Sequence, residues 1–323
     1  MKIGVFTVLF QNRPFEEMLE IVKHYGLDAI EIGTGNYPGN AHCNPDELLD
    51  CETKLTAFKR AIESKGLFIS ALSCHGNPLH PQKAIAKKFH EVWRKTVLLA
   101  EKLEVECINV FSGCPGDSEN SLYPNWVTCA WPPDYLEVLK WQWETKLIPY
   151  WKGEREFAAK HGVRKIAFEM HPGFMVYNPE TLLKLRSIVG EEIGANFDPS
   201  HLIWQGIDPV EAIKVLGKEK AIFHVHAKDT YLDISNIRVN GVLDTKPYDQ
   251  VINRSWTFRS VGYGLSEKVW KDIISTLRVV GYDYVLSIEH EDCLASVEEG
   301  FSKAVNFLKK CIFYEQAGQI WWV

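Results

Sequence analysis

Four ionisable residues close four short apolar runs: Glu169 ends KIAFE, Asp198 ends IGANFD, His226 lies near the end of IFHVHAK, and Glu289 lies near the end of YVLSIE. The intervals between them are 29, 28 and 63 residues, and the last shortens to a similar repeat once an insertion of about 30 residues is set aside. Three carboxylates drawn together repel one another unless a cation lies between them. With one imidazole and no thiolate, the set offers hard and borderline ligands suited to Mn²⁺, Mg²⁺, Co²⁺ or Zn²⁺. An ion held there would act as a Lewis acid on substrate oxygens.

Further titratable residues gather around these four. His75 ends another apolar run, His171 follows Glu169 by two positions, His201 follows Asp198 by three, His224 precedes His226 by two, and His290 adjoins Glu289. Side chains two apart on a strand share a face, so His171 and His224 face as Glu169 and His226 do, whereas His290 faces away from Glu289. Lys228 shares the His226 face, Glu31 ends the second run, and Arg259 lies in a long loop. His171 and His201 are therefore candidate proton-transfer groups beside Glu169 and Glu289. Glu31, His75, His224, Lys228 and Arg259 are candidate substrate contacts. Taken singly, each has a competing reading as a surface ion pair or a satisfied core histidine.

Such convergence needs a scaffold that brings strand ends to one place. Strand-like runs at Lys2–Val8, Ala29–Gly33, Leu67–Cys74, Cys107–Gly113, Lys165–His171, Ile193–Asp198, Ala221–Lys228 and Asp283–Glu291 alternate with stretches of helical period. The clearest helices are FEEMLEIVKHYG, Pro45–Lys65, KAIAKKFHEVWRKTVLLAEKL, PETLLKLRSIVG and SEKVWKDIISTLRVVG. Eight such cycles predict an α/β fold, a (β/α)8 TIM barrel forming one domain over residues 1–323. An open doubly wound sheet is the weaker alternative, because no GxGxxG follows the first strand. Two connections, Cys114–Pro133 and Thr230–Gly264, are too long for plain loops and leave the carboxyl ends of strands, where they would roof a pocket. The apolar end QIWWV is expected to pack on a neighbour or on the barrel floor.

Composition narrows the function classes. The 36 Lys and Arg against 42 Asp and Glu give a net charge of −6, the wrong sign for neutralising a nucleic-acid backbone. No apolar run is long enough to span a membrane, and MKIGVFTVLF lacks a cleavage site, so a cytoplasmic protein without membrane partners is expected. The eight cysteines form no CxxC and are expected to be reduced, mostly core thiols. No Gly-rich phosphate loop occupies the usual late-strand position, which favours a non-phosphorylated substrate.

In order, the motifs FEMHPG, NFDPSHL, HVHAKD and SIEHED resemble those of the sugar-phosphate isomerase/epimerase superfamily, the xylose-isomerase-like TIM barrels, over essentially the whole chain. The resemblance implies one divalent ion, most often Mn²⁺, held by Glu169, Asp198, His226 and Glu289, with His201 contacting substrate. It also implies an isomerase or epimerase that removes a proton beside the ketone of a sugar through a metal-stabilised enediolate. Glu169 or Glu289 would be the base. Where related ketose 3-epimerases carry Gly-Glu and a substrate-holding arginine, this chain reads AKDT, so their ketohexose specificity does not carry over. The two insertions look closer to a branch containing the α subunits of C-glycoside deglycosidases. That likeness implies an alternative: a lyase cleaving 3-oxo-glycosides by β-elimination with a small β subunit. A homo-oligomer acting on a small sugar or oxidised glycoside is the expectation otherwise. The barrel is also similar to endonuclease IV, but no histidine ends NVFSG and no Asp-x-His pair follows the seventh strand, and the net charge opposes DNA binding. A sugar-binding protein that has lost turnover is a further alternative, opposed by the complete ligand set.

Overall fold

The near-continuous apolar runs become parallel strands buried on both faces, as crossover connections require. The computed structural model describes residues 1–322. In chain order the strands are β1 (Lys2–Phe6), β2 (Ala29–Gly33), β3 (Phe68–Ser73), β4 (Cys107–Val110), β5 (Lys165–Glu169), β6 (Ile193–Phe197), β7 (Ile222–Ala227), β8 (Asp229–Leu232), β9 (Trp256–Arg259) and β10 (Val285–Ile288). Eight of them close in the order β1-β10-β7-β6-β5-β4-β3-β2, the (β/α)8 barrel predicted from the repeat. Closure through the β1–β10 ladder, Lys2 opposite Val285 to Val5 opposite Ile288, leaves the barrel without an open edge.

Amphipathic helices wrap the barrel. Phe15–His24 buries Met18, Leu19 and Val22, and Lys83–Leu103 buries Trp93, Val97, Ala100 and Leu103. Several start where the sequence marks a start. Asn178 forms a capping box with Thr181 ahead of Pro179, and the Ser266 hydroxyl caps Glu267–Val279. The expected helix Pro45–Lys65 is two helices, Pro45–Asp50 and Glu52–Ser64, divided at Cys51, which is extended.

Both insertions lie over the carboxyl ends of the strands. The first, around Cys114–Pro133, is irregular backbone held by side chains from outside it: Gln142 Nε2 donates to the carbonyls of Gly116 at 2.9 Å and Asn125 at 2.7 Å, and Asn77 Nδ2 to that of Cys114 at 2.9 Å. The second is more ordered than a loop. It carries the antiparallel hairpin β8–β9 and a helix at Ile234–Asn240. Asp229 clamps its two ends, because its buried carboxylate accepts from the N–H groups of Thr230, Gly262, Gly264 and Leu265 and from Trp270 Nε1. Glycine is required at 264, where a Cβ would lie 2.3 Å from the Thr230 carbonyl.

The expectation for QIWWV is not met on the barrel floor. Ile320, Trp321 and Trp322 are exposed, and Val323 lies outside the described residues. Among the described residues no helix is long and apolar enough to cross a membrane, and the cysteines are all free, with Cys43, Cys74, Cys107, Cys114 and Cys311 buried.

Candidate metal centre

Strand geometry delivers the four residues to one point. Glu169 ends β5, Asp198 follows β6 and caps the short helix Pro199–Ile203, His226 is the penultimate residue of β7, and Glu289 follows β10. One donor atom from each lies within 4.8 Å of the others. His226 Nδ1 is 2.9 Å from Glu289 Oε2 and 3.2 Å from Glu169 Oε2. Yet Asp198 Oδ2, His226 Nδ1 and Glu289 Oε2 are all buried without an aligned hydrogen-bond partner. Three carboxylates this close and this buried are balanced only in part by the Lys228 ammonium beside Asp198 and Glu289, and a further cation among them would complete the balance. The donor set therefore fits a divalent ion bound by three carboxylates and one imidazole.

The other chemistry-bearing side chains divide between the pocket and the layer below it. His201 Nε2 lies 3.0 Å from Glu169 Oε1 and 3.3 Å from Asp198 Oδ2. His75 Nε2 lies 3.2 Å from Glu169 Oε2. The His171 ring stands 4.1 Å from that of His201, and its Nδ1 donates to the Pro172 carbonyl at 2.6 Å, which leaves Nε2 as the free acceptor. Lys228 Nζ is buried at 2.9 Å from Glu289 Oε2, 3.2 Å from Asp198 Oδ2 and 3.0 Å from Glu291 Oε2.

Protonation follows from these contacts. Burial pushes the Glu169 carboxyl up, but bonds from His201, His226 and His75 outweigh it and hold it well below the usual carboxylate range. Glu289, also opposed by burial, is drawn down to about 2 by Lys228 and His226. Burial and the neighbouring His201 lower His171 to about 3, so its imidazole is neutral. Burial alone would favour neutral Lys228, yet Asp198, Glu289 and Glu291 raise it well above the ordinary lysine value.

Three expected substrate contacts lie elsewhere. Glu31 is fully buried beneath His226, and its oxygens accept from Ser73 Oγ at 2.5 Å, Ser287 Oγ at 2.7 Å, Asn109 Nδ2 at 2.8 Å and His226 Nε2 at 2.9 Å. It orients the histidine instead of touching substrate. His224 does share the interior face with His226, but it sits one layer deeper, against Ser70 Oγ and Asn196 Oδ1. Glu31, His224 and His226 also cluster closely enough to hold an ion, but the Glu31 oxygens are already saturated by donors. Arg259 is tied to the Asp292 carboxylate at 3.1 Å with its guanidinium over Tyr263. His290 turns outward, as alternation required, and packs where Gly300 leaves room for it.

Several supporting residues escaped sequence reasoning. Asn196 Nδ2 lies 3.2 Å from Glu169 Oε2 and 3.1 Å from His226 Nε2. Phe6 stacks on the His226 ring, and Phe111 packs between His75 and His171. A signal for part of this layer was present: Asn196, His224 and Ser287 each precede a strand-end residue of the centre by two positions.

Residues 19–311 match the family profile described as xylose isomerase-like TIM barrel, and the chain belongs to that family. It is 40% identical over 314 residues to the uncharacterized protein YfiH of Bacillus subtilis (strain 168), covering 97% of this chain and 99% of that one. Among solved structures, a D-tagatose 3-epimerase-like protein superposes with a TM-score of 0.65 at 20% identity, covering 96% of this chain and 98% of the other. The IOLI protein with a bound zinc atom superposes with a TM-score of 0.63 at 18% identity, over 97% and 98% of the two chains. At such identities these two structures speak to the fold.

Proposed function

We propose that this member of the xylose isomerase-like TIM barrel family is a divalent-metal-dependent sugar isomerase or epimerase that acts beside a ketone of a non-phosphorylated sugar. The observation that carries the reading is the buried cup of ligand atoms from Glu169, Asp198, His226 and Glu289, all within 4.8 Å of one another at the carboxyl mouth of the barrel. A bound ion, Mn²⁺ or else Mg²⁺, Co²⁺ or Zn²⁺, would supply Lewis-acid stabilisation of negative charge on the substrate's carbonyl and neighbouring hydroxyl oxygens.

The protein's own groups divide the remaining work. Glu169 and Glu289 are ionised, so either can accept the proton from the carbon beside the ketone, and the other can return one from the opposite face. His201, held against Glu169 and Asp198, is placed to meet a substrate hydroxyl. The free Nε2 of neutral His171 is an acceptor for another. Lys228 holds Asp198 and Glu289 in position from one side, and Phe258, 4.7 Å from its ammonium, shields that side from water.

Replacing Glu169 or Glu289 by Gln, with metal content measured in each variant, tests the assignment. Turnover should fall by about 10² to 10⁴ where the lost group moves the proton. Wild-type turnover in both variants would overturn the choice of bases. A second reading, β-elimination from the same deprotonated sugar, is favoured by the open room beside His171 and His201. It would make the protein a lyase on 3-oxo-glycosides, with free aglycone as the product and a small β subunit as the partner that co-purifies.

A further inference from the structure

The apolar end of the chain, which the metal centre leaves without a task, is rooted at the barrel floor. The Phe313 carbonyl accepts from the Met1 ammonium at 3.0 Å, and that ammonium pairs with Asp283 at 2.7 Å, just ahead of β10. The Glu315 carbonyl then accepts from Arg278 on the outer helix Glu267–Val279. A space of about 640 Å³ is lined by Arg278 and by residues 312–318 themselves, so this stretch stands off the body of its own chain. Trp321 is 85% exposed and Trp322 69%, and Phe313, Tyr314 and Ile320 are each exposed by half or more. Five large apolar side chains within ten residues, with Glu315 the one charge among them, are unfavourable to leave in water.

We propose that this tail is an exchange arm: it lies in a groove on the floor of a second copy of the chain, while the second copy's tail lies in the groove of the first. Two cavities, of about 450 Å³ and 470 Å³, share Lys165 and Tyr284 and together make that groove. They open at the amino ends of the strands, since Lys165 starts β5, whereas Glu169 of the metal centre ends it. Phe68, the first residue of β3, and Ile222 and Phe223, the first two of β7, supply apolar surface. Asp283, beside the root of the tail, lines the second cavity. Root and groove therefore occupy one face, so two copies meeting floor to floor about a two-fold axis bring each root to the partner's groove.

Chemistry, reach and area agree with this occupant. Lys2 Nζ stands 4.5 Å from the Phe68 ring and Lys165 Nζ 5.9 Å from the Tyr284 ring, so ammonium groups already meet ring faces on the floor and can meet an indole face in the same way. Each cavity is above the ~300 Å³ at which ligand-sized pockets begin. From Phe313 to Trp322 the extended chain spans up to about 30 Å, enough to pass from one rim across the facing floor. At about 150 to 250 Å² for a buried aromatic side chain, one tail offers roughly 600 Å²; two tails, with the groove surfaces they cover, pass the ~1,200 Å² at which stable interfaces begin. A second copy suits the groove because every chain carries both halves of the contact.

Sedimentation velocity of the full chain, up to about 100 µM, reads the association. The native chain should form a dimer. Replacing both Trp321 and Trp322 by Ala removes the arm's rings, and Lys165→Trp fills the two cavities from their shared wall. Each change should weaken dimerisation by at least about a hundredfold, with circular dichroism confirming the fold. An equimolar mixture of the two variants should recover dimer, because the intact arm of the Lys165→Trp chain meets the intact groove of the other. A native chain that stays monomeric at the highest concentration, as an arm folded onto its own floor requires, would overturn the proposal. So would a dimer untouched by either variant, or a mixture that recovers none.

Discussion

Replacing Glu31 by Gln should weaken metal binding although Glu31 provides no ligand to the centre. Its carboxylate accepts four donors, of which His226 Nε2, 2.9 and 3.0 Å from its two oxygens, fixes the ring so that Nδ1 faces Glu169 and Glu289. A carboxylate behind a ligating histidine sets its tautomer and basicity, and its loss typically costs 10- to 100-fold in metal affinity, or about 1.4 to 2.7 kcal/mol. Gln keeps the volume but turns one acceptor into an amide donor, which must then confront Ser73, Asn109, Ser287 or His226. One unmet buried donor adds a folding cost of about 1 to 3 kcal/mol. Calorimetric titration with Mn²⁺ at fixed pH reads the affinity, and circular dichroism confirms that the variant is folded. A folded Glu31→Gln variant that binds Mn²⁺ as tightly as the native chain would refute the argument.

Three further outcomes follow from the same contacts. Asp229→Ala should destabilise the protein by about 3 kcal/mol or more, because five donors, two buried and three half-buried, lose their acceptor; urea unfolding measures this, and amide exchange should quicken first in Trp256–Leu265. Burial lowers His224 to about 4, so in acid the unfolded chain takes up its proton first. Its stabilising contribution is complete above pH of about 6.5 and declines toward 4, by about 2 kcal/mol at pH 5, so the stability difference between the native chain and His224→Gln should narrow by roughly that amount. A flat difference across this range would contradict it. His171 titrates in the same direction, but it opens on the pocket, and solvent reduces its share. Finally, Mn²⁺ at a hundredfold excess over its dissociation constant should stabilise the fold by about 2.7 kcal/mol, seen as a chelator-reversible rise in melting temperature.

The barrel was legible because each parallel strand is an apolar run that stops at a polar residue, and Glu169, Asp198 and Glu289 mark those stops. The depth of a side chain inside the barrel was less so. Alternation places His224 and His226 on one face, but which of them reaches the pocket depends on the stagger of neighbouring strands. Glu31 shows the same limit: β2 continues through Ile32 and Gly33 beyond it, and the register sets Glu31 opposite Phe6 and Ala71, within the packed interior. The insertions were recognisable by length alone, whereas the β8–β9 pairing and the closure of the Asp229 clamp on Leu265 depend on contacts 24 or more residues apart in sequence. For Arg259 the sequence leaves a substrate contact and an ion pair both open, because its partner, Asp292, lies 33 residues away on the segment after β10.

The most direct test of the central claim is proton NMR in D₂O with the Mn²⁺-loaded protein, using ketohexoses and alkyl and aryl 3-oxo-glucosides, each with and without chelator. The account predicts deuterium uptake at the carbon beside the ketone, abolished by chelator, with an isomer or epimer forming for the isomerase and free aglycone for the lyase. Exchange that survives complete removal of metal would contradict it, as would a metal-loaded protein that exchanges no proton of any substrate in the panel.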